Sequence, residues 1–352
     1  MEALIIKKMN KNRRKIRIAL LILALLFYFS VDIIQKLSLR NTDKEGDKVE
    51  IFIPKGASLG QITDTLAAKG LVSDKEFFIM WARLSGTEKK LQAGNFYVPK
   101  DLNSVQLATF LSQAKPAEIY VTLIEGWDNE QIINQLAQTY DLNVYILDSL
   151  CSDSAFCNSF GIQKNNLTGY LLPDTYAFHR GQTEKEILSI LVNRTLDIFK
   201  RDNVRSKMDE LNFSRDQILT LASIVEGEAI YDDERATIAA VYINRLNKGM
   251  RLQADPTIQF IIDGPPRRLL YKDLEIDSRY NTYKYYGLPP GPINNPGIKS
   301  ILATIFAEDV NYLYFVARGD GRHTFSSTLK EHNKAKLAFD KIRREVRKNR
   351  YK

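Results

Sequence analysis

Two carboxylic acids stand two residues apart in the stretch LASIVEGEAI, residues 221–230. Glu226 and Glu228 flank Gly227 inside a segment whose other side chains are mostly apolar. Burying an unpaired carboxylate costs several kcal/mol, or raises its pKa until it keeps its proton near neutrality. A carboxyl held that way is what a general acid requires. Projected as a helix at 100° per residue, 215–230 places Ile218, Leu221, Ala222, Val225 and Ala229 on one stripe. Glu226 then borders that stripe, roughly 60° from its centre, and Glu228 lies roughly 100° away on the other side. Gly227 costs about 1 kcal/mol relative to alanine in a helix interior, so its presence predicts a close approach by another part of the chain. Helix geometry alone leaves a second reading open, in which Glu226 is a helix-edge acid paired with Arg235 or Arg245.

The elements that must position these acids can be read from periodicity and punctuation. Helices are predicted over 184–201, 214–230 and 233–248, the last capped by Asp232 and stopped by Gly249. Further upstream a layout recurs three times, at 53–67, 98–112 and 123–137. Each copy is a strand-like lead-in, a turn at Gly56, Asp101 or Gly126, and a helix. Ser58, Ser104 and Asp128 or Asn129 are the expected N-caps. Gln61, Gln106 and Gln131 recur in register, with Leu66, Leu111 and Leu136 one turn beyond the apolar residues Ile62, Leu107 and Ile132. Such a unit cannot bury its own apolar face and must pack on neighbours. Another helix is expected over 73–86, with Phe77, Phe78 and Trp81 in a core. Residues 141–170 are weakly patterned, and from 251 onward the chain reads as loops, a strand at 312–318 and a closing helix over 327–345.

The formal charge of +8 over 352 residues is carried by the two ends. Residues 1–17 and 341–352 each hold seven Lys or Arg against one Glu, which leaves the rest of the chain near −4. A mildly acidic body argues against a nucleic-acid groove. Behind the basic N-terminus lies IALLILALLFYFSVDII (18–34), at the lower length limit for a membrane span. No small-residue cleavage site follows it, so an uncleaved anchor is expected over 18–38. The basic flank then keeps residues 1–17 in the cytoplasm and the body outside the inner membrane. Cys151 and Cys157 fit either a small disulfide loop or two free thiols. The three histidines have no paired-ligand spacing for zinc, and no cofactor is implied.

Several blocks in order resemble the YceG-like (MltG-type) endolytic murein transglycosylases. They are GYLLPDTYAF (169–178), LASIVEGEA with the following RATIAAVYINRLNKGMRLQADPTIQF, YNTYKYYGLPPGPINNPG (280–297) and YLYFVARGDGRHTFSSTLKEHN (312–333). Thr168 departs from the Glu usual before Gly-Tyr in that family. The resemblance implies an α+β fold: an anchor (18–38), a linker (39–47), a small LysM-like module (48–115) and a larger mixed α/β catalytic domain (116–352). It implies cleavage of the MurNAc–GlcNAc β-1,4 bond within peptidoglycan glycan strands, with 1,6-anhydro ends left behind. Carried over, the catalytic acid is Glu226, which would protonate the departing oxygen and then deprotonate the sugar's own 6-hydroxyl. The implied partners are glycan strands, the membrane, and peptidoglycan synthases or division proteins, with no nucleic acid.

Other residues have chemistry suited to sugars. Gln253 and Asp255 could bond hydroxyls or orient Glu226, and Asp255 or Glu228 acting with water would instead make a hydrolase. Tyr280, Asn281 and Tyr283 offer stacking faces and amide bonds; Glu228, Tyr170 and Asp174 are further candidate substrate contacts. His323 is either a cleft residue or part of a loop.

Overall fold

The computed structural model describes residues 17–28, 30–32, 35 and 46–350. Part of the expected anchor (29, 33, 34 and 36–38) and most of the linker (39–45) lie outside the described residues. Among the described residues no helix is long and apolar enough to cross a membrane. The described residues between 17 and 32 are helical and expose Leu20, Leu21, Leu23, Leu26 and Phe27.

The chain folds as two compact units, Met1–Ile119 with His179–Gln182, and Tyr120–Phe178 with Thr183–Lys352. In the first, strand β1 (Lys48–Ile53) is followed by helices α1 (Leu59–Ala68) and α2 (Lys75–Leu84), strand β2 (Gly94–Pro99) and helix α3 (Ser104–Gln113). β1 and β2 pair antiparallel with Ile51 opposite Phe96 and Val49 opposite Val98. Alternation turns Ile51, Ile53, Phe96 and Val98 to a core shared with Leu66, Phe78, Leu107 and Leu111. Each fully buried leucine there contributes roughly 2 kcal/mol. Phe77 and Phe78 are buried as expected, whereas Trp81 is only partly covered.

The threefold layout is real at atomic detail. Ser58, Asn103 and Asp128 cap α1, α3 and α4 (Asn129–Tyr140), and Gln61, Gln106 and Gln131 return the bond to the cap's own N–H. Asn103 replaces the expected Ser104 because its side-chain oxygen reaches the Gln106 N–H at 2.8 Å. Asp128, rather than Asn129, caps the third.

Strands β3 (Glu118–Thr122) and β4 (Thr175–His179) form a two-stranded sheet. Between them the weakly patterned stretch holds two short helices, α5 (Val144–Cys151) and α6 (Ser154–Ser159). Both cysteines are buried and free, and burial pushes the Cys151 thiol up to about 12. The expected helix over 184–201 forms as α7 (Glu184–Ile198), and a further helix that was not expected, α8 (Asp202–Leu211), follows it.

The second unit is organised on α9 (Arg215–Glu228), whose capping box is Ser214 with Gln217. Eight consecutive residues, Ile218 to Val225, are buried, so the helix is covered on all sides rather than along one stripe. It packs against α10 (Arg235–Asn247), α11 (Asp255–Ile261) and α12 (Ile298–Ile305). The loop-like region after 251 therefore contains two helices that short length and proline content conceal. Strands β5 (Tyr314–Ala317) and β6 (His323–Ser326) make a hairpin, and α13 (Leu329–Arg350) closes the chain.

Candidate active site

Both acids lie in the last turn of α9, because Ala229 leaves the helical conformation at φ −84° and ψ 125°. Their surroundings are opposite. Glu226 is an ion pair: Arg235 Nη1 donates to its Oε1 at 2.8 Å and the Gly297 N–H donates to its Oε2 at 2.9 Å. The two side chains are only 6% and 7% exposed. Arg235 also donates to Asp232 and to Ser300 Oγ. Glu226 thus ties α9 to the first residue of α10 and to the N-cap of α12. Both oxygens are occupied, and the arginine pairing that the sequence left open is present. Asp232, expected as a helix cap, instead pairs with Arg235 and Lys299.

Gly227 explains how the chain reaches Glu228. A Cβ at 227 would lie 2.7 Å from Pro256 Cβ and 2.9 Å from its Cγ. The missing side chain lets the rigid proline ring, in the first turn of α11, press on the end of α9. That contact brings Asp255, the first residue of α11, beside Glu228. Tyr242 of α10, itself buried, donates its hydroxyl to Glu228 Oε1 at 2.8 Å. Burial pushes the Glu228 carboxyl up; the Tyr242 hydrogen bond opposes this, and the Asp255 charge adds to it. The net value is about 7. Burial also holds the Tyr242 phenol well above its ordinary range, so it stays a donor.

Glu228, Gln253, Asp255 and Tyr283 line one cavity of about 490 Å³. Arg245, His323, His332 and Lys336 complete its polar wall. The Tyr283 hydroxyl donates to Asp255 Oδ1 at 2.5 Å. Gln253 has a left-handed backbone, φ +49°, and its N–H donates to the Thr282 carbonyl. Strained non-glycine conformations of this kind collect at functional sites. Thr282 also accepts from the Ala254 N–H, so one buried threonine locks both cavity segments together. Arg245 is spent on the carbonyls of Leu313 and Leu252 and orders the wall. His332 is stacked on Tyr314, with burial and the charges of Lys336 and Arg245 lowering its pKa.

Four other expected contacts are not brought here. Asn281 is fully buried and donates to the carbonyls of Leu274 and Ile276, so it shapes the loop that presents Tyr283. Tyr280 packs on Phe260, with ring centroids 4.8 Å apart, and against the core. Tyr170 is 1% exposed; its hydroxyl is bonded to Asp216 and its ring lies under Arg215. Asp174 is exposed on a different, smaller groove of about 340 Å³. Sequence reasoning missed Tyr242, hidden among the apolar residues of α10. It also missed Asn295, whose side chain accepts from the Gly169 and Leu171 N–H groups and donates to Trp127 and Asn129. Thr168 accepts from Asn129 in the same network.

This arrangement has known counterparts. A sequence model of the YceG-like family matches residues 51–338. An endolytic murein transglycosylase of Bacillus subtilis is 34% identical over 308 residues, covering 83% of this chain and 84% of that protein. One from Streptococcus pneumoniae is 26% identical over 322 residues, and this chain spans 57% of its length. A crystal structure of a YceG-like protein from Listeria monocytogenes superposes with a TM-score of 0.57 at 32% identity, covering 82% of this chain and 98% of that one. The chain belongs to the YceG-like family.

Proposed function

We propose that this protein is an endolytic murein transglycosylase and that Glu226, on which the family's catalytic acid falls, is its general acid, with Glu228 a substrate contact beside it. The observation that carries the assignment is the family match over residues 51–338, which takes in the end of α9 with both acids and the polar cavity of Glu228, Gln253, Asp255 and Tyr283. Glu226 protonates the glycosidic oxygen between MurNAc and GlcNAc, the C1–O bond breaks toward the leaving sugar, and the resulting carboxylate takes the proton of the 6-hydroxyl. The MurNAc 6-hydroxyl attacks C1 and closes the 1,6-anhydro ring. Because the nucleophile belongs to the substrate, no second enzyme carboxylate need attack, unlike the paired carboxylates of ordinary glycosidases. Intramolecular attack also carries a high effective molarity once the sugar is held. Gln253, Asp255 and Tyr283 are the substrate contacts in this reading. The relatives' shared name supports the substrate class.

The exposed apolar helical residues behind the basic N-terminus support a membrane anchor with the catalytic unit on the extracytoplasmic face, where murein lies. The β1–α1–α2–β2 order of the first unit supports its reading as a LysM-like module.

Mass spectrometry of products from purified glycan strands tests the function. The wild type is expected to leave anhydro ends and Glu226→Gln to leave the strands intact. Reducing ends in place of anhydro ends would favour the second reading, a hydrolase in which Asp255, in the same cavity, directs water.

A further inference from the structure

The wall of the Glu228 cavity carries charge of both signs, and the signs come from different elements. Glu228 of α9 and Asp255 of α11 supply the acids, and each already accepts a phenol hydroxyl, from Tyr242 and Tyr283 respectively. Arg245 of α10 and Lys336 of α13 supply the cations. Arg245 is committed: its guanidinium donates to the Leu313 and Leu252 carbonyls and lies over the Tyr314 ring at 5.5 Å. Lys336 is exposed and makes no hydrogen bond or ion pair among the described residues. Its ammonium therefore has three donors to offer a ligand.

His332 precedes Lys336 by four residues, so the two share one face of α13. Its ring stacks on Tyr314 with centroids 5.3 Å apart, and its Nδ1 is buried with no hydrogen-bond partner among the described residues. A buried polar atom left unpaired calls for a partner, which a bound group can supply. Burial, then the charges of Lys336 and Arg245, lower the His332 pKa, so the imidazole is neutral at pH 7. The same two charges that disfavour a proton on His332 favour an anion beside it. In a peptidoglycan strand the sugars are neutral, and negative charge sits on the carboxylates of the peptide stems joined to MurNAc.

We propose that Lys336, with His332 beside it, binds a free carboxylate of the peptide stem on MurNAc, while the sugar meets Glu228, Gln253, Asp255 and Tyr283. The enzyme then prefers strands whose stems keep their carboxylates. Lys336 is a specificity-determining contact and takes no part in breaking or making bonds. An ammonium–carboxylate hydrogen bond is charge-assisted and strong for its kind. The stem carboxylate does not change during the reaction, so this bond is made equally in the ground and transition states. Its loss raises KM and leaves kcat. This inference rests on the transglycosylase reading, which supplies the substrate class.

The test uses full-length protein and two substrates. One is purified glycan strands with their stems. The other is the same strands after carbodiimide coupling of the stem carboxylates to methylamine, which keeps the peptide and removes its negative charge. For the wild type, KM should be about tenfold higher on the amidated strands, with kcat within about twofold. Lys336→Met, which keeps the side-chain length without the charge, should raise KM on native strands about tenfold and treat the two substrates alike. Lys336→Arg should retain most of the preference. A purely structural role for Lys336 would leave the ratio between the substrates at its wild-type value. A wild type indifferent to amidation, or Lys336→Met that keeps the wild-type ratio, overturns the proposal and leaves the transglycosylase reading intact. Cleavage that shows the preference but leaves reducing ends overturns that reading alone. Native and amidated strands that both stay intact with the wild type overturn the two together.

Discussion

Replacing Glu228 by glutamine should, at alkaline pH, make the protein more stable. Burial raises this carboxyl from 4.5 to about 7. Between those values the folded protein binds a proton that the unfolded chain has released, so stability falls as pH rises through the window. Above pH 7 the folded state must either bury a charge or pay to keep the proton. At roughly 1.4 kcal/mol per pH unit, the cost at pH 8.5 approaches about 3 kcal/mol, and most of it is absent at pH 5. Glutamine is nearly isosteric, can accept from Tyr242 and never ionises. The variant should therefore gain about 2–3 kcal/mol more over wild type at pH 8.5 than at pH 5. For a unit of this size that is a difference of roughly 4–12 °C in the Tm gain. Paired melting scans at the two pH values measure it directly. A gain equal at both, or a loss at pH 8.5, would refute the raised carboxyl at Glu228.

Two further substitutions separate structure from chemistry at the same turn. Glu226→Gln removes one of the two carboxylates paired with buried Arg235, leaving Asp232 at 3.1 Å, and should cost about 1–3 kcal/mol in denaturant unfolding while abolishing cleavage in molecules that remain folded. A folded Glu226→Gln protein that still leaves anhydro ends would refute the acid role of position 226. Gly227→Ala should destabilise by about 1–3 kcal/mol despite alanine's better helix propensity, since the new methyl must displace the Pro256 ring. Activity should fall with it, because Asp255 moves with that proline; unchanged stability and rate would show that the contact is slack.

Much of the local architecture was legible in the amino-acid order. The triplicate layout predicted three helices, and the recurring glutamines close three capping boxes, on Ser58, Asn103 and Asp128. The helix over 214–230 was legible from the same short-range rules, but its burial on all sides was not, because the projection marked a single apolar stripe. The helices α11 and α12 were not legible, because a seven-residue and an eight-residue helix offer too few turns for periodicity to register. Tyr170 and Asn281 looked like sugar contacts because their chemistry suits sugars; buried partners far along the chain make them scaffold instead.

The sequence by itself determined that two acids end an apolar helix, that a glycine between them admits a close neighbour, and which family the blocks resemble. Only the tertiary structure decided which acid meets the cavity. A helical projection gives each side chain an angle about its own axis, but not what waits at that angle. At 226 it is Arg235 and the Gly297 N–H, 71 residues away. At 228 it is Tyr242, Asp255 and a cavity whose walls come from α10, α11, the hairpin and α13. Charge and desolvation act over a few ångströms of space, whatever the separation along the chain, so the protonation of an acid is settled by the fold around it.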